Sequence, residues 1–93
     1  MEEHRAMKKK EQFLVRTIGD SPVMMPYGET TLRFNGLIMP NETAAFIWEH
    51  LEQADSPEEL AALLCEEFEV SPERALQDCR TLVSQMRQAG WIE

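Results

Sequence analysis

Phe34-Asn35-Gly36-Leu37-Ile38-Met39-Pro40-Asn41-Glu42-Thr43-Ala44-Ala45-Phe46-Ile47-Trp48 is the stretch whose reading decides the fold. Asn35-Gly36 is a turn pair, and it opens a three-residue apolar run, Leu37-Ile38-Met39, that reads as a short strand. Pro40 stops the strand. Asn41 follows at once and is suited to cap a helix, because its side-chain oxygen can accept from a free N–H of the first turn. Ala44, Ile47, Trp48 and Leu51 then recur at i, i+3, i+4 and i+7, the stripe that a helix buries. Phe46 points away from that stripe, where it can cover the sheet or a dimer contact. The helix is expected to end near Gln53.

Upstream, Phe13-Leu14-Val15-Arg16-Thr17-Ile18 is β-rich, with Phe13, Val15 and Thr17 on one face. Gly19-Asp20-Ser21 is a turn signal. Pro22 opens a second strand, Val23-Met24-Met25-Pro26-Tyr27, whose prolines suit an exposed edge because each lacks a ladder donor. The two strands form a hairpin. Residues 29–34 read equally as a loop or as one helical turn.

Downstream, Ser56-Pro57-Glu58-Glu59 and Ser71-Pro72-Glu73-Arg74 are two compact helix starts with Ser at the cap and Pro at the first helical position. Leu60, Leu63, Leu64 and Phe68 are the apolar stripe of the first of these helices. Ala75, Leu76, Cys79, Leu82, Val83 and Met86 are that of the second, which runs to about Ala89. Gly90 is a stop signal, and Trp91-Ile92 folds back as an apolar clasp. The expected architecture is α+β: a three-stranded antiparallel sheet followed by three helices, winged helix-turn-helix-like. Residues 1–12 read as a charged flexible tail, and residues 13–93 as one domain.

Ninety-three residues suffice for one modest core. The net charge of −8 is unevenly placed. Residues 41–72 hold nine acids (Glu42, Glu49, Glu52, Asp55, Glu58, Glu59, Glu66, Glu67 and Glu69) and no Lys or Arg. Such a belt repels phosphate and anionic lipid, which argues against nucleic-acid and membrane partners. A charged N-terminus without an apolar signal segment, and apolar runs too short to span a bilayer, favour the cytoplasm.

Nothing in the spacing suggests catalysis. No Ser/His/Asp or Cys/His set is grouped, and no Gly-rich phosphate loop occurs. Cys65 and Cys79 lack metal-ligand spacing and read as small core residues; His4 and His50 lack ligand partners. No enzyme activity, metal or cofactor is assigned. A binding site is suggested instead by two features. The run Leu37-Ile38-Met39 has a free edge if the sheet order is 1-2-3, and a free edge can pair with an extended peptide. On the last helix, Leu76 and Val83 lie with Arg80 and Arg87 along one flank, an apolar wall with guanidinium groups outside that would take an acidic peptide.

Four segments together resemble the PqqD-like family of peptide-binding domains, also called RiPP recognition elements. They are "FLVR", "FNGLIMPNETAAFIWEHL", "SPEELAALLCEEFEVSPERALQDC" and "LVSQMRQAGWIE". The resemblance covers residues from about 13 to 92, nearly the whole chain. The resemblance implies non-catalytic binding of a ribosomally made leader peptide, added as a strand along the third strand and presented to a modifying enzyme, often of the radical S-adenosylmethionine type. It transfers to Leu37, Ile38, Met39, Leu76, Arg80 and Val83. Pro40 departs from the residues often found there and removes a backbone donor beside the presumed binding edge. On this reading Ile38→Pro removes an edge donor and should abolish peptide binding if that donor faces the peptide. Two other readings are a self-associating interaction module, which predicts a homodimer, and a DNA-binding winged helix, which the acidic belt disfavours.

Overall fold

The computed structural model describes residues 7–34 and 36–93. Strands β1 (Phe13–Ile18) and β2 (Ser21–Pro26) form an antiparallel hairpin, with Val15 opposite Met24 and Thr17 opposite Pro22. A 3-10 turn (Gly28–Leu32) follows. Helices α1 (Glu42–His50), α2 (Pro57–Glu67) and α3 (Pro72–Gln88) complete the fold, and a second 3-10 turn (Leu51–Gln53) prolongs α1. Among the described residues no helix is long and apolar enough to cross a membrane.

The expected third strand is corrected. The sheet has two strands, and Ile38 meets it through one isolated antiparallel bridge to Met24. Both bridge bonds form: Met24 N–H donates to Ile38 O at 2.8 Å, and Ile38 N–H donates to Met24 O at 2.9 Å. The ladder stops there for a chemical reason. In an antiparallel pair the next bonded positions lie two residues away on each strand, here Pro22 with Pro40 and Pro26 with Gly36. Pro22, Pro26 and Pro40 have no N–H, so three of the four donors needed to lengthen the ladder do not exist.

The helix starts behave as their sequences predict. Asn41 Oδ1 accepts from Ala44 N–H at 2.8 Å. Ser56 and Ser71 accept from Glu59 and Arg74 N–H, with proline in the first turn of both α2 and α3. At the far end of α3, Gly90 sits at φ +82°, Gly90 N–H donates to Arg87 O, and Trp91 N–H donates to Met86 O. This paired 5→2 and 6→1 closure reverses the chain and lays Trp91 and Ile92 back on the core.

The core is a sandwich of the hairpin's inner face, α1, α2 and α3. Ile47, Leu51, Leu60, Ala75 and Cys79 are fully enclosed. Its aromatic centre is Phe13, Trp48 and Trp91, with ring centroids 4.9–5.9 Å apart, and Phe34 edge-on to Phe13. Trp48 Nε1–H donates to Phe13 O at 3.3 Å, so the indole's polar atom is satisfied inside the core. Burial pushes the Cys79 thiol up to about 11, which keeps it protonated and unreactive.

Residues 1–6 of the expected charged tail lie outside the described residues. Residues 7–12, expected within the same tail, are tied to the body. Met7 is buried, and its N–H donates to Ala54 O. Lys9 pairs with Ile92 in a second isolated bridge, and its ammonium stands 4.7 Å over the Trp48 ring. Lys10 and Glu11 N–H both donate to Trp91 O. The lysine run is thus spent on the end of the chain: its backbone clasps Trp91–Glu93, and its stem covers an indole.

Two outcomes are expected. Trp48→Ala should cost about 3–5 kcal/mol in urea unfolding, since it removes the central ring and orphans the Phe13 carbonyl. In thiol titration with an aromatic disulfide near neutral pH, Cys79 should stay unmodified until the chain unfolds, whereas half-buried Cys65 is the first accessible sulfur.

Candidate functional site

Between the bridging segment and the C-terminal half of α3 runs an apolar groove of about 290 Å³. One wall is Met24, Ile38, Pro40 and Ala44; the facing wall is Leu82, Gln85, Met86 and Ala89. Trp91 closes one end. The α3 wall is itself an i, i+3, i+4, i+7 stripe. Gln85 is the one lining residue with a polar side chain, so the groove has no charge of its own.

The edge beside the groove is set by the bridge. Ile38 spends both its N–H and its C=O on Met24. Successive backbone groups alternate in direction along an extended segment, so those of Leu37 and Met39 face outward. The expectation that Ile38 supplies the edge donor is therefore corrected: its donor faces inward. By the same alternation, the donor missing at Pro40 belongs to the inner ladder, not to the outward edge. Leu37 and Met39 are 58% and 70% exposed, with side chains on the outer face.

The structure does not bring the four predicted α3 residues to this groove. Val83 is buried at 2% exposure in the core. Leu76 lines a different, shallow cleft against Ala61 and Cys65 of α2. Arg80 reaches Glu58 of α2, Nη2 to carboxylate oxygen 2.8 Å. Arg87 Nε donates to Glu93 O at 3.1 Å. These residues occupy the flank of α3 that meets α2 and the C-terminus. Leu82 lies two residues from Arg80, about 160° round the helix, on the flank that meets the bridge. The apolar content of α3 was legible, but its rotational phase against the strand was not, because Leu82, Val83 and Met86 fit either flank. The stripe Leu82-Gln85-Met86-Ala89 was the available signal.

A carboxylate network holds the connection that leads into the edge. Glu11, 8% exposed, accepts two bonds from Arg33, Nη2 at 2.7 Å and Nε at 2.8 Å. The buried Thr30 hydroxyl donates to Glu11 Oε1 at 2.8 Å and accepts from Gln12 N–H at 2.6 Å. The Arg33 bonds, aided by Thr30, hold the Glu11 carboxyl below its ordinary value, against the opposing effect of burial. The N-terminal segment is thereby fastened to the turn that delivers Phe34, Gly36 and Ile38.

The comparisons with known proteins bear on this geometry. A family model described as coenzyme PQQ synthesis protein D (PqqD) matches residues 23–92. The chain belongs to the PqqD family. Among solved structures, that described as TbiB1 in complex with the TbiA(beta) leader peptide shares the fold, with a TM-score of 0.65 and 22% identity over 94% of this chain and 95% of that one. No curated protein matches the chain. The match to the PqqD model takes in residues 23–26 of β2, the bridge, all three helices and the Trp91 clasp, hence every residue lining the groove.

The sign of the Glu11 contribution is testable. A carboxylate whose value is depressed on folding stabilises the fold above its unfolded value, near 4.5, and that contribution is lost as the pH falls through the depressed value. Acid unfolding followed by tryptophan fluorescence should therefore show Glu11→Gln less stable than the parent at pH 7, with the difference narrowing as the pH falls through the depressed value of the Glu11 carboxyl.

Proposed function

We propose that this PqqD-family chain binds a ribosomally made leader peptide and presents it to a modifying enzyme, without catalysing a reaction itself. The observation that carries the reading is the conjunction of an outward backbone edge at Leu37 and Met39 with an uncharged apolar groove beside it, on a winged helix-turn-helix-like scaffold. An extended peptide would pair with the backbone of Leu37 and Met39 and turn alternate side chains toward Leu82, Met86 and Trp91. Main-chain bonds would supply register, and the groove would select apolar side chains. Family membership and the leader-peptide complex of the TbiB1 relative support the reading.

The reading differs from the sequence expectation in one chemical respect. Arg80 and Arg87 are engaged elsewhere, so an acidic peptide gains no cation in the groove. A radical S-adenosylmethionine enzyme would be one class of recipient for the bound peptide, and it would carry its own cofactor.

Calorimetric titration with synthetic leader regions of short peptides encoded beside the gene tests the reading. Micromolar binding is expected for one such peptide. Leu82→Glu should weaken it by at least about tenfold, since a carboxylate would be buried against apolar side chains. Arg80→Glu should bind like the parent. Loss of binding in Arg80→Glu with none in Leu82→Glu would place the peptide on the other flank of α3. Absence of binding by every neighbour-encoded peptide, together with a stable dimer in sedimentation, would favour self-association through the same edge and the exposed side chains of Leu37 and Met39.

A further inference from the structure

A second concave surface lies around a different flank of α1. Ala44 faces the groove, whereas Glu42, Ala45, Phe46 and Glu49, an i, i+3, i+4, i+7 stripe, face a cleft of about 250 Å³ against the turn end of the hairpin and the end of α2. The floor is apolar: Val15, Ala45, Phe46 and Phe68. It is also well fixed. Phe46 stacks on His50 with centroids 4.0 Å apart and meets Phe68 edge-on at 5.5 Å. The rim is acidic: Glu42 and Glu49 from α1, Glu67 from α2. The groove and this cleft share no lining residue.

Of the three rim carboxylates only Glu49 has, among the described residues, a cation within electrostatic range, the half-buried Lys9 ammonium, which it shares with Glu52. Among the described residues none of the three makes an ion pair, and the whole stretch 41–72 has no Lys or Arg. Glu67 also sits in the last turn of α2, which carries no basic residue, where the helix dipole disfavours negative charge. An apolar floor ringed by carboxylates that make no ion pair has one kind of complement: an apolar side chain flanked by cations.

We propose that this cleft docks a basic segment of a partner protein, with one apolar side chain set against Phe46 and Phe68 and flanking Lys or Arg side chains paired with Glu42, Glu49 and Glu67. The surface is separate from the groove, so both can be filled at once, and the proposal stands whether or not the groove takes a leader peptide. Phe46, the aromatic that the buried stripe of α1 leaves over, thereby acquires a role.

The probe is the hexapeptide KRLFRK, with EELFEE as its charge-reversed control, titrated into the full chain labelled with nitrogen-15. Millimolar or tighter binding of KRLFRK is expected, with amide shifts concentrated at Val15, Ala45, Phe46 and Phe68 and none from EELFEE. Raising the salt from about 50 to about 300 mM should weaken it by about threefold or more, because the rim pairs are solvent-exposed. The triple variant Glu42→Gln, Glu49→Gln, Glu67→Gln should lose the probe while keeping the parent's unfolding midpoint. Any of three results overturns the proposal: no binding at millimolar probe, equal shifts around Glu52, Glu58 and Glu66, or a triple variant that binds like the parent. Shifts at Leu82 and Met86 instead would assign the probe to the groove and also overturn it.

Discussion

The contact between Trp48 and Phe13 is the one on which the rest of the structure depends. The indole N–H of α1 donates to the Phe13 carbonyl of β1, and the two rings meet edge-on. That single crossing fastens helix to hairpin. Trp91 packs on both rings from the reversed C-terminus, and Lys9 covers the indole from the N-terminal side. Three regions far apart in the chain, residues 9–13, Trp48 and Trp91, therefore share one aromatic centre. Because Trp91 also closes the end of the groove, the position of the candidate site is tied to the packing of the core rather than to a loop.

Three prolines shape the edge as much as any contact does. Pro22, Pro26 and Pro40 remove the donors that would zip the Ile38 segment onto β2, and leave it held by a single bridge. A short edge so held presents few outward backbone groups. That limits unwanted pairing between copies, a hazard of long flat edges, and leaves enough donors and acceptors at Leu37 and Met39 to set the register of one added strand. The buried Glu11–Arg33–Thr30 network does for the approach to this edge what the bridge does for its centre.

Charge is segregated from the groove. The lining contains no ionised side chain, and the acids concentrate on α1 and α2, where they surround a second apolar cleft. As proposed, occupancy of the groove would depend on shape and backbone pairing, and that of the other surface on charge and on salt. A carrier that must hold one molecule and be recognised by another gains from surfaces whose energetics differ in this way.

Local chemistry determined much of this protein before any fold was known. Asn41, Ser56, Ser71 and Gly90 marked helix ends because capping is an interaction between near neighbours, and each is found in its expected role. The hairpin followed from β-rich runs around Gly19-Asp20, and the stripes of α1 and α3 followed from period. The family was recognisable from residues in order. Only the tertiary structure decided the strand count, since the missing proline donors matter only once Met24 is known to face Ile38. It alone decided the flank of α3 that meets the bridge, moving the groove from Leu76, Arg80, Val83 and Arg87 to Leu82, Gln85, Met86 and Ala89. It also decided the fate of residues 7–12, whose charges read as a solvated tail but whose backbone pairs with Trp91–Glu93. The physical reason is common to all three: composition and period constrain a segment against itself, whereas edge, phase and clasp are relations between segments distant in sequence.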